Sequence, residues 1–348
     1  MSTHSLLISG LPPNCHEIVD FDLVTLDGRL IVVGSPRKDR LACTWDPARD
    51  RWATFELDVP DENFPLTDLT AVGAATVDGR IVIGGGGEHQ GFAMWDLAAG
   101  RVRLGAQEGG TASTVRADFG DRSRLLVGFA GTWGVELWDP SVAEPQDWHD
   151  DGDPDDEDAP ATGPEQPSPY DSLVSIEDLA CQSRASSAAA AGLWAGRPVV
   201  VAGGRHGGVL VWDVEAERHL AAFGDLDETP TEFALATVEG RTRVVAAGGQ
   251  SLALGDPASN EWDEPLTVPG DEISCLTAGS VRGRPCAVTG ARDGTVCVWD
   301  LAERRLLGRP FQGHRGRVFG LRVAGLDSRP VIISSAHCDP VHLWDFPS

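Results

Sequence analysis

The sequence predicts an all-β chain folded as a seven-bladed β-propeller with its N-terminal strand completing the last blade, and three observations predict it. First, a Trp-Asp pair closes an apolar run at Trp45-Asp46, Trp95-Asp96, Trp138-Asp139, Trp212-Asp213, Trp299-Asp300 and Trp344-Asp345, with a worn copy at Leu254-Gly255-Asp256. The closing aspartates step by 50, 43, 74, 43, 44 and 45 residues. All but the long step fit the ~40–50-residue period of propeller repeats. Second, a Gly-Arg turn precedes the apolar strand of each repeat at Gly28-Arg29, Gly79-Arg80, Gly196-Arg197, Gly240-Arg241 and Gly283-Arg284, with looser forms at Ser123-Arg124 and Ser328-Arg329. From each Arg to its closing Asp the offsets are 17, 16, 15, 16, 15, 16 and 16 residues. Third, the chain ends just after the last Trp-Asp, leaving that repeat short of a fourth strand, while the apolar run at residues 5–8 has no repeat of its own. That run is expected to pair with the last repeat and close the ring, which removes both exposed edges.

Each repeat reads as four short strands. In the sixth, residues 273–277 form the first, the Gly283-Arg284 turn leads to 286–289, Arg292-Asp293-Gly294 turns into 296–299, and 305–308 leads on to the next repeat. Asp-Gly between β-rich runs is a hairpin signal. Strand alternation puts Val296 and Val298 on one face and Cys297 and Trp299 on the other. The Gly-rich residues 84–87 lie between strands and are expected to be a turn; without a following helix they are no phosphate loop.

Composition sets the class. The chain has 348 residues, 41% of them hydrophobic, with 41 glycines for many tight turns. Its formal charge of −25 opposes nucleic-acid phosphates and anionic membrane surfaces. No apolar stretch approaches the ~20 residues of a spanning helix, and residues 1–10 lack the basic start of a signal peptide. These features point to a cytoplasmic, monomeric protein. Lys38 is the one lysine, which reads as the codon usage of a GC-rich bacterial genome. The seven cysteines, Cys15, Cys43, Cys181, Cys275, Cys286, Cys297 and Cys338, are scattered with no C-x-x-C pair, so no disulfide framework or zinc cluster is expected. They are read as small buried apolar residues.

The repeats resemble those of the WD-repeat (tryptophan–aspartate) propeller family over nearly the whole chain. Copy seven is closest, with Gly313-His314 opening it and Trp344-Asp345 ending it. The resemblance implies a buried network of His314, Ser335, Asp339 and Trp344 in copy seven. In copy six it implies Thr289, Asp293 and Trp299, with Asp271 where the His is expected. The other copies lack most of it. It also implies that the Trp-Asp pairs are structural and that the turns before the third strands and the loops between blades share one rim.

Residues 140–180 break the period, and residues 144–172 are read as an acidic, Pro-rich insertion between blades 3 and 4. Residues 147–158 carry eight acidic residues in twelve, a composition that does not bury enough apolar surface to order itself. Asp151-Gly152-Asp153 has acid spacing, but the fixed Gly and distal Glu of a calcium loop are missing.

No nucleophile elbow, His-Glu-x-x-His helix or phosphate loop is present, and no catalytic residue, cofactor or metal site is assigned. The rim is where function is expected. Its turns offer Arg37, Lys38, His89, Trp133, Arg205, His206, Arg292 and His337; its loops offer His16, Arg184, Arg315 and Arg317. Arg and Trp are enriched at binding hot spots, and an Arg fork takes a carboxylate or phosphate on two hydrogen bonds. The competing reading is that these charges only solvate the rim or pair with Asp39, Asp293 and Asp339. Three functions stay open, one of them, on the family resemblance, a sensor propeller that works in trans with a signalling ATPase or kinase. Another is a scaffold binding a protein or peptide, acidic or phosphorylated, through His16, Lys38, His89, Trp133, Arg205, His206, Arg292, Arg315, Arg317 and His337. The third is an enzyme or small-molecule binder, for which a biosynthetic pathway is one setting, sited at the channel mouth with His89, His206, His337 and Cys338.

Overall fold

Each Gly-Arg marker is the second half of a two-residue hairpin. The turn pairs Asp27/Gly28, Asp78/Gly79, Ala195/Gly196, Glu239/Gly240 and Arg282/Gly283 all have positive φ at both positions, as a type I′ turn requires. That requirement explains the glycine before each Arg. Asp327/Ser328 adopts the same geometry, with Ser328 at φ 64°. The computed structural model describes residues 7–13, 15–36, 40–59, 69–87, 90–106, 110–118, 123–130, 135–142, 174–176, 186–204, 208–224, 226 and 228–347.

The hairpins build seven antiparallel sheets, one per repeat, in a ring: a seven-bladed β-propeller. The innermost strands are β2 (Asp20–Leu26), β6 (Ala71–Val77), β10 (Gly110–Asp118), β14 (Ser186–Trp194), β18 (Glu232–Val238), β23 (Ile273–Val281) and β27 (Val318–Leu326). In blades 1 to 6 the later strands follow in chain order, and in blade 5 a short extra strand (Leu266–Thr267) pairs with the third. Blade 7 runs β27, β28 (Arg329–Ala336), β29 (Val341–Asp345) and then β1 (Leu7–Ser9). The register is Leu7↔Leu343, Ile8↔His342 and Ser9↔Val341, so the ring closes with the N-terminal strand, as expected.

Alternation explains the core. Val296 and Val298 pack with Val318, Ile332 and Trp344 of blade 7, while Cys297 and Trp299 pack with Leu252 and Leu254 of blade 5. Each blade thus buries one face against each neighbour. The seven hydrophobic clusters correspond one to one with the seven blade–blade interfaces.

The fixed Arg–Asp offset is a diagonal cross-strand pair. The register Val199↔Asp213 and Cys286↔Asp300 puts Arg197 and Arg284 two residues before the partner of the aspartate, on the same face. The ion pairs are Arg29–Asp46 (3.5 Å), Arg80–Asp96 (3.3 Å), Arg124–Asp139 (3.1 Å), Arg197–Asp213 (3.4 Å), Arg241–Asp256 (3.8 Å) and Arg284–Asp300 (3.4 Å). The same aspartates hold the next turn: Asp213 Oδ1 accepts from the amides of Glu215 (3.1 Å) and Ala216 (2.9 Å), and Asp300 Oδ1 from Ala302 (3.0 Å) and Glu303 (2.9 Å). Aspartate is the residue that caps its own turn this way.

Three expectations change. Residues 84–87 are not a turn: they end β7 (Arg80–Gly87), the second strand of blade 2. A Cβ at Gly84 would sit 2.5 Å from Leu125 Cδ1 and one at Gly85 2.3 Å from the Ala71 carbonyl oxygen, so the glycines serve close packing. The network serine of blade 7 is Ser334, not Ser335. Trp344 pairs with Ile332 and His342 with Ser334, so 332, 334, 342 and 344 share the face toward blade 6; Ser335 faces blade 1, its buried hydroxyl without a hydrogen-bond partner. Residues 144–172 lie outside the described residues, but the strands flanking them, Val135–Trp138 and Val174–Ile176, are neighbours within blade 3 rather than in blades 3 and 4.

The corrected network is fully connected. Trp344 Nε1 donates to Ser334 Oγ (2.7 Å), Ser334 Oγ lies 2.7 Å from His314 Nε2, and His314 Nδ1 lies 2.7 Å from Asp339 Oδ2. Neutral His314 protonated on Nδ1 satisfies every member. In blade 6 only the Trp299–Thr289 link forms (3.1 Å); Asp271 is exposed, and Asp293 accepts from the Thr295 amide (2.9 Å). Elsewhere Trp45 donates to Asp50 Oδ1, Trp95 to the Asp58 carbonyl and Trp138 to Glu136 Oε2, while the buried Trp212 indole has no acceptor among the described residues.

Candidate functional site

The inner strands surround a channel, and on the rim where these strands begin a cavity of about 530 Å³ opens among them. Part of its lining is small and apolar, at Ala189, Ala190, Ala191 and Ala278. Beside uncharged polar Thr70, Ser274 and Thr277, the lining carries six charged residues, Asp20, Asp22, Arg116, Glu232, Arg317 and Arg322.

Asp20 and Asp22 begin blade 1 and tie it to blade 2. Asp20 Oδ2 accepts from the Val72 amide (2.8 Å) and Asp22 Oδ2 from that of Ala74 (3.1 Å). Arg322, from the inner strand of blade 7, reaches Asp22 Oδ1 (3.7 Å) and lies over the Phe21 ring (5.5 Å). Burial pushes the Asp20 carboxyl up to about 6, against the pull of Arg322 and two backbone hydrogen bonds. Glu232, from blade 5, is pushed up to about 8, first by burial and then by the charge of Asp20, against Arg322 and Arg317. A carboxyl raised to about 8 favours its protonated form at neutral pH, whereas one raised to about 6 favours the ionised form. Ser274 faces the same space, but its hydroxyl is used on the Val318 carbonyl oxygen (2.7 Å). The channel thus presents arginines, a carboxylate and a carboxylic acid to one volume.

The rim residues divide into three groups. Lys38, His89, Trp133, Arg205 and His206 lie outside the described residues, as do Arg37, Asp39, Arg184 and Cys181. Arg292 is exposed, but its charge is taken by Glu272 (2.6 Å). His16, Arg315, Arg317 and His337 are exposed around the meeting of blades 7 and 1. Arg317 stacks over Phe319 (6.0 Å), and its carbonyl oxygen accepts from the His337 amide (2.8 Å). Arg315 and Arg317 have no acidic partner among the described residues.

Sequence reasoning missed Glu17, Asp20, Glu232 and Arg322. One signal was available: Asp20-Phe21 and Glu232-Phe233 place an acid before Phe at the start of the inner strand in copies one and five. The cysteines are mixed. Cys43, Cys275, Cys286 and Cys297 are buried, and burial raises all four thiols, Cys286 to about 11 and Cys297 to about 12. Cys15 is half-buried and Cys338 is exposed, against expectation.

No protein-family model matches this chain, and no curated protein matches it.

Proposed function

We propose that this propeller is a non-catalytic interaction scaffold of the WD-repeat kind, binding an acidic protein or peptide segment across the mouth of the channel. Such scaffolding is the common use of the fold, an analogy at fold level. The observation that carries the reading is the contrast between the two rims. On the hairpin rim six of the seven turn arginines, all but Arg329, pair with the closing aspartates, whereas on the mouth rim Arg315 and Arg317 stand exposed with no acidic partner among the described residues, above a cavity that Arg322 also lines. In a chain of formal charge −25 such a patch is a local exception. It fits an acidic partner and not a nucleic acid, whose phosphates the whole body repels. A cytoplasmic, monomeric, bacterial protein is the setting this reading assumes.

The test is affinity purification from the native host with the tagged wild type, the double variant Arg315→Glu/Arg317→Glu, and Arg241→Gln on the opposite rim. The expected result is a partner lost with the first variant and kept with the second. An unchanged partner set with both variants overturns the reading.

A second reading has its own support. The cavity is the size of a small-ligand site, and a protonated Glu232 beside Arg317 and Arg322 suits a carboxylate- or phosphate-bearing molecule. A thermal shift with such metabolites that disappears in Arg322→Gln favours this reading over the scaffold.

A further inference from the structure

Outside the channel, three ligand-bearing side chains converge at the ring closure. Glu17 lies on the segment that leads into blade 1, and His337 and Cys338 form the turn between β28 and β29 of blade 7. Their ligand atoms lie within 4.8 Å of one another. Glu17 Oε2 is 2.9 Å from His337 Nδ1 and accepts from the Cys338 amide at 3.0 Å. Cys338 Sγ is 3.6 Å from His337 Nε2. Cys338 holds a positive φ of 50°, which an L side chain seldom adopts, and its thiol is exposed, unlike the buried cysteines of the blades.

From this geometry we infer that Glu17, His337 and Cys338 form a binding site for a thiophilic divalent cation of the zinc class, with a coordination position open to solvent. The donor set decides the class. Thiolate and imidazole together select zinc-like ions over magnesium or calcium, which take oxygen. Zn–S near 2.3 Å and Zn–N near 2.0–2.1 Å at a tetrahedral angle put sulfur and nitrogen roughly 3.6 Å apart, the separation seen between Cys338 Sγ and His337 Nε2. Glu17 supplies either the third ligand or the carboxylate that orients the ring through Nδ1, the usual support of a metal-bound histidine. Binding displaces the thiol proton to solvent and forms the metal–sulfur bond, with no change of oxidation state. The thiol–imidazole–carboxylate order also suits a nucleophile, but neither of the two described cavities is lined by His337 or Cys338.

The buried trio His314, Asp339 and His342 is also within ligand distance, but His314 and Asp339 are committed to the Trp344 network and the trio holds no thiolate. The proposed ion joins blade 7 to the segment entering blade 1, so binding should stabilise the closed ring.

The experiment titrates the full chain, stripped with a chelator, with Zn²⁺ by calorimetry and with Co²⁺ by absorbance, beside Cys338→Ser and Glu17→Gln. The expected result is one ion per chain, a sulfur-to-cobalt charge-transfer band, and a rise in melting temperature reversed by chelator. In Cys338→Ser the band should vanish and zinc affinity fall at least tenfold; this exposed change leaves the fold intact, which its circular dichroism checks. Glu17→Gln should weaken binding while keeping the band. No binding by the wild type at 100-fold excess of ion, or equal binding and an equal band in Cys338→Ser, overturns the inference.

Discussion

Deleting residues 1–10 tests the ring closure. It removes β1, and the loss can be built from the structure. Three residue pairs join β1 to β29. Counting one net hydrogen bond per pair at about 1 kcal/mol each gives about 3 kcal/mol. In β1 the apolar loss is confined to Leu7, half-buried against the cluster between blades 7 and 1, because Ile8 is 54% exposed, and it adds to this figure. Ser9 adds more than its size suggests. It is fully buried, its hydroxyl donates to Asp50 Oδ1 at 2.5 Å and accepts from Trp52 Nε1 at 2.9 Å. Asp50 Oδ1 also accepts from Trp45 Nε1 at 3.0 Å, and the two indoles stack at 5.6 Å. Ser9 therefore fastens the closing strand to blade 1. Losing a charge-assisted bond and leaving a half-buried indole N–H short of its partner costs about 2 kcal/mol. The deletion should thus cost about 5 kcal/mol, a large share of the usual 5–15 kcal/mol of a native fold. With an unfolding entropy near 2.1 cal/mol/K per residue, a chain of this size loses about 7 °C of melting temperature. Ser9→Ala alone should lose about 3 °C. Differential scanning calorimetry is the assay. A deletion that melts within 1 °C of the full chain, or a Ser9→Ala that matches the wild type, refutes the reasoning.

The remaining predictions concern the buried polar groups. Ser334→Ala strands the Trp344 indole and His314 Nε2 and should cost about 2–3 kcal/mol in urea unfolding, whereas Ser335→Ala removes an unpartnered hydroxyl and should be neutral or stabilising. Burial, and then the neighbouring His314, hold His342 down to about 4, so the unfolded chain binds a proton near 6.5 that the fold refuses; stability is full above pH 6.5 and falls by up to about 3 kcal/mol between pH 6.5 and 4, a slope that His342→Gln should reduce in a melting series. The acids in the channel act at the other end: Glu232, raised to about 8, and Asp20, raised to about 6, favour the fold when protonated, so their contribution is full below pH 4 and is lost as pH rises toward 8. Glu232→Gln should therefore raise the melting temperature at pH 8.5 and leave it unchanged at pH 4; equal shifts at both values would show that Glu232 is not held protonated.

What was legible in the sequence follows from what recurs. The hairpin turns repeat because the ring repeats, and a two-residue turn with both φ positive demands a residue such as Gly28 or Gly79 at a fixed place. The Arg–Asp offset was visible as a period, and its meaning as an ion pair could have been drawn from opposite charges on one strand face. Ser334 was likewise within reach, since counting by twos from Trp344 across the register settles its face against Ser335. The candidate site was harder because it is made of departures from the repeat. Glu232 and Arg322 are separated by 90 positions in the chain and share a volume only because a ring brings the first strands of blades 5 and 7 to one channel. Glu17 and Cys338 are still further apart in sequence, and the contact between them exists only because the ring closes there. The repeat that reveals the fold is therefore silent on function by construction: a residue that every blade needs serves the blade, and chemistry particular to this protein must sit where one copy differs from the rest. The chain concentrates those differences where blades 7 and 1 meet, with Arg315, Arg317, Arg322, His337 and Cys338 in blade 7 or the loop entering it and Glu17 on the segment entering blade 1. Opening the ring should for that reason disturb binding at the mouth before it unfolds the blades.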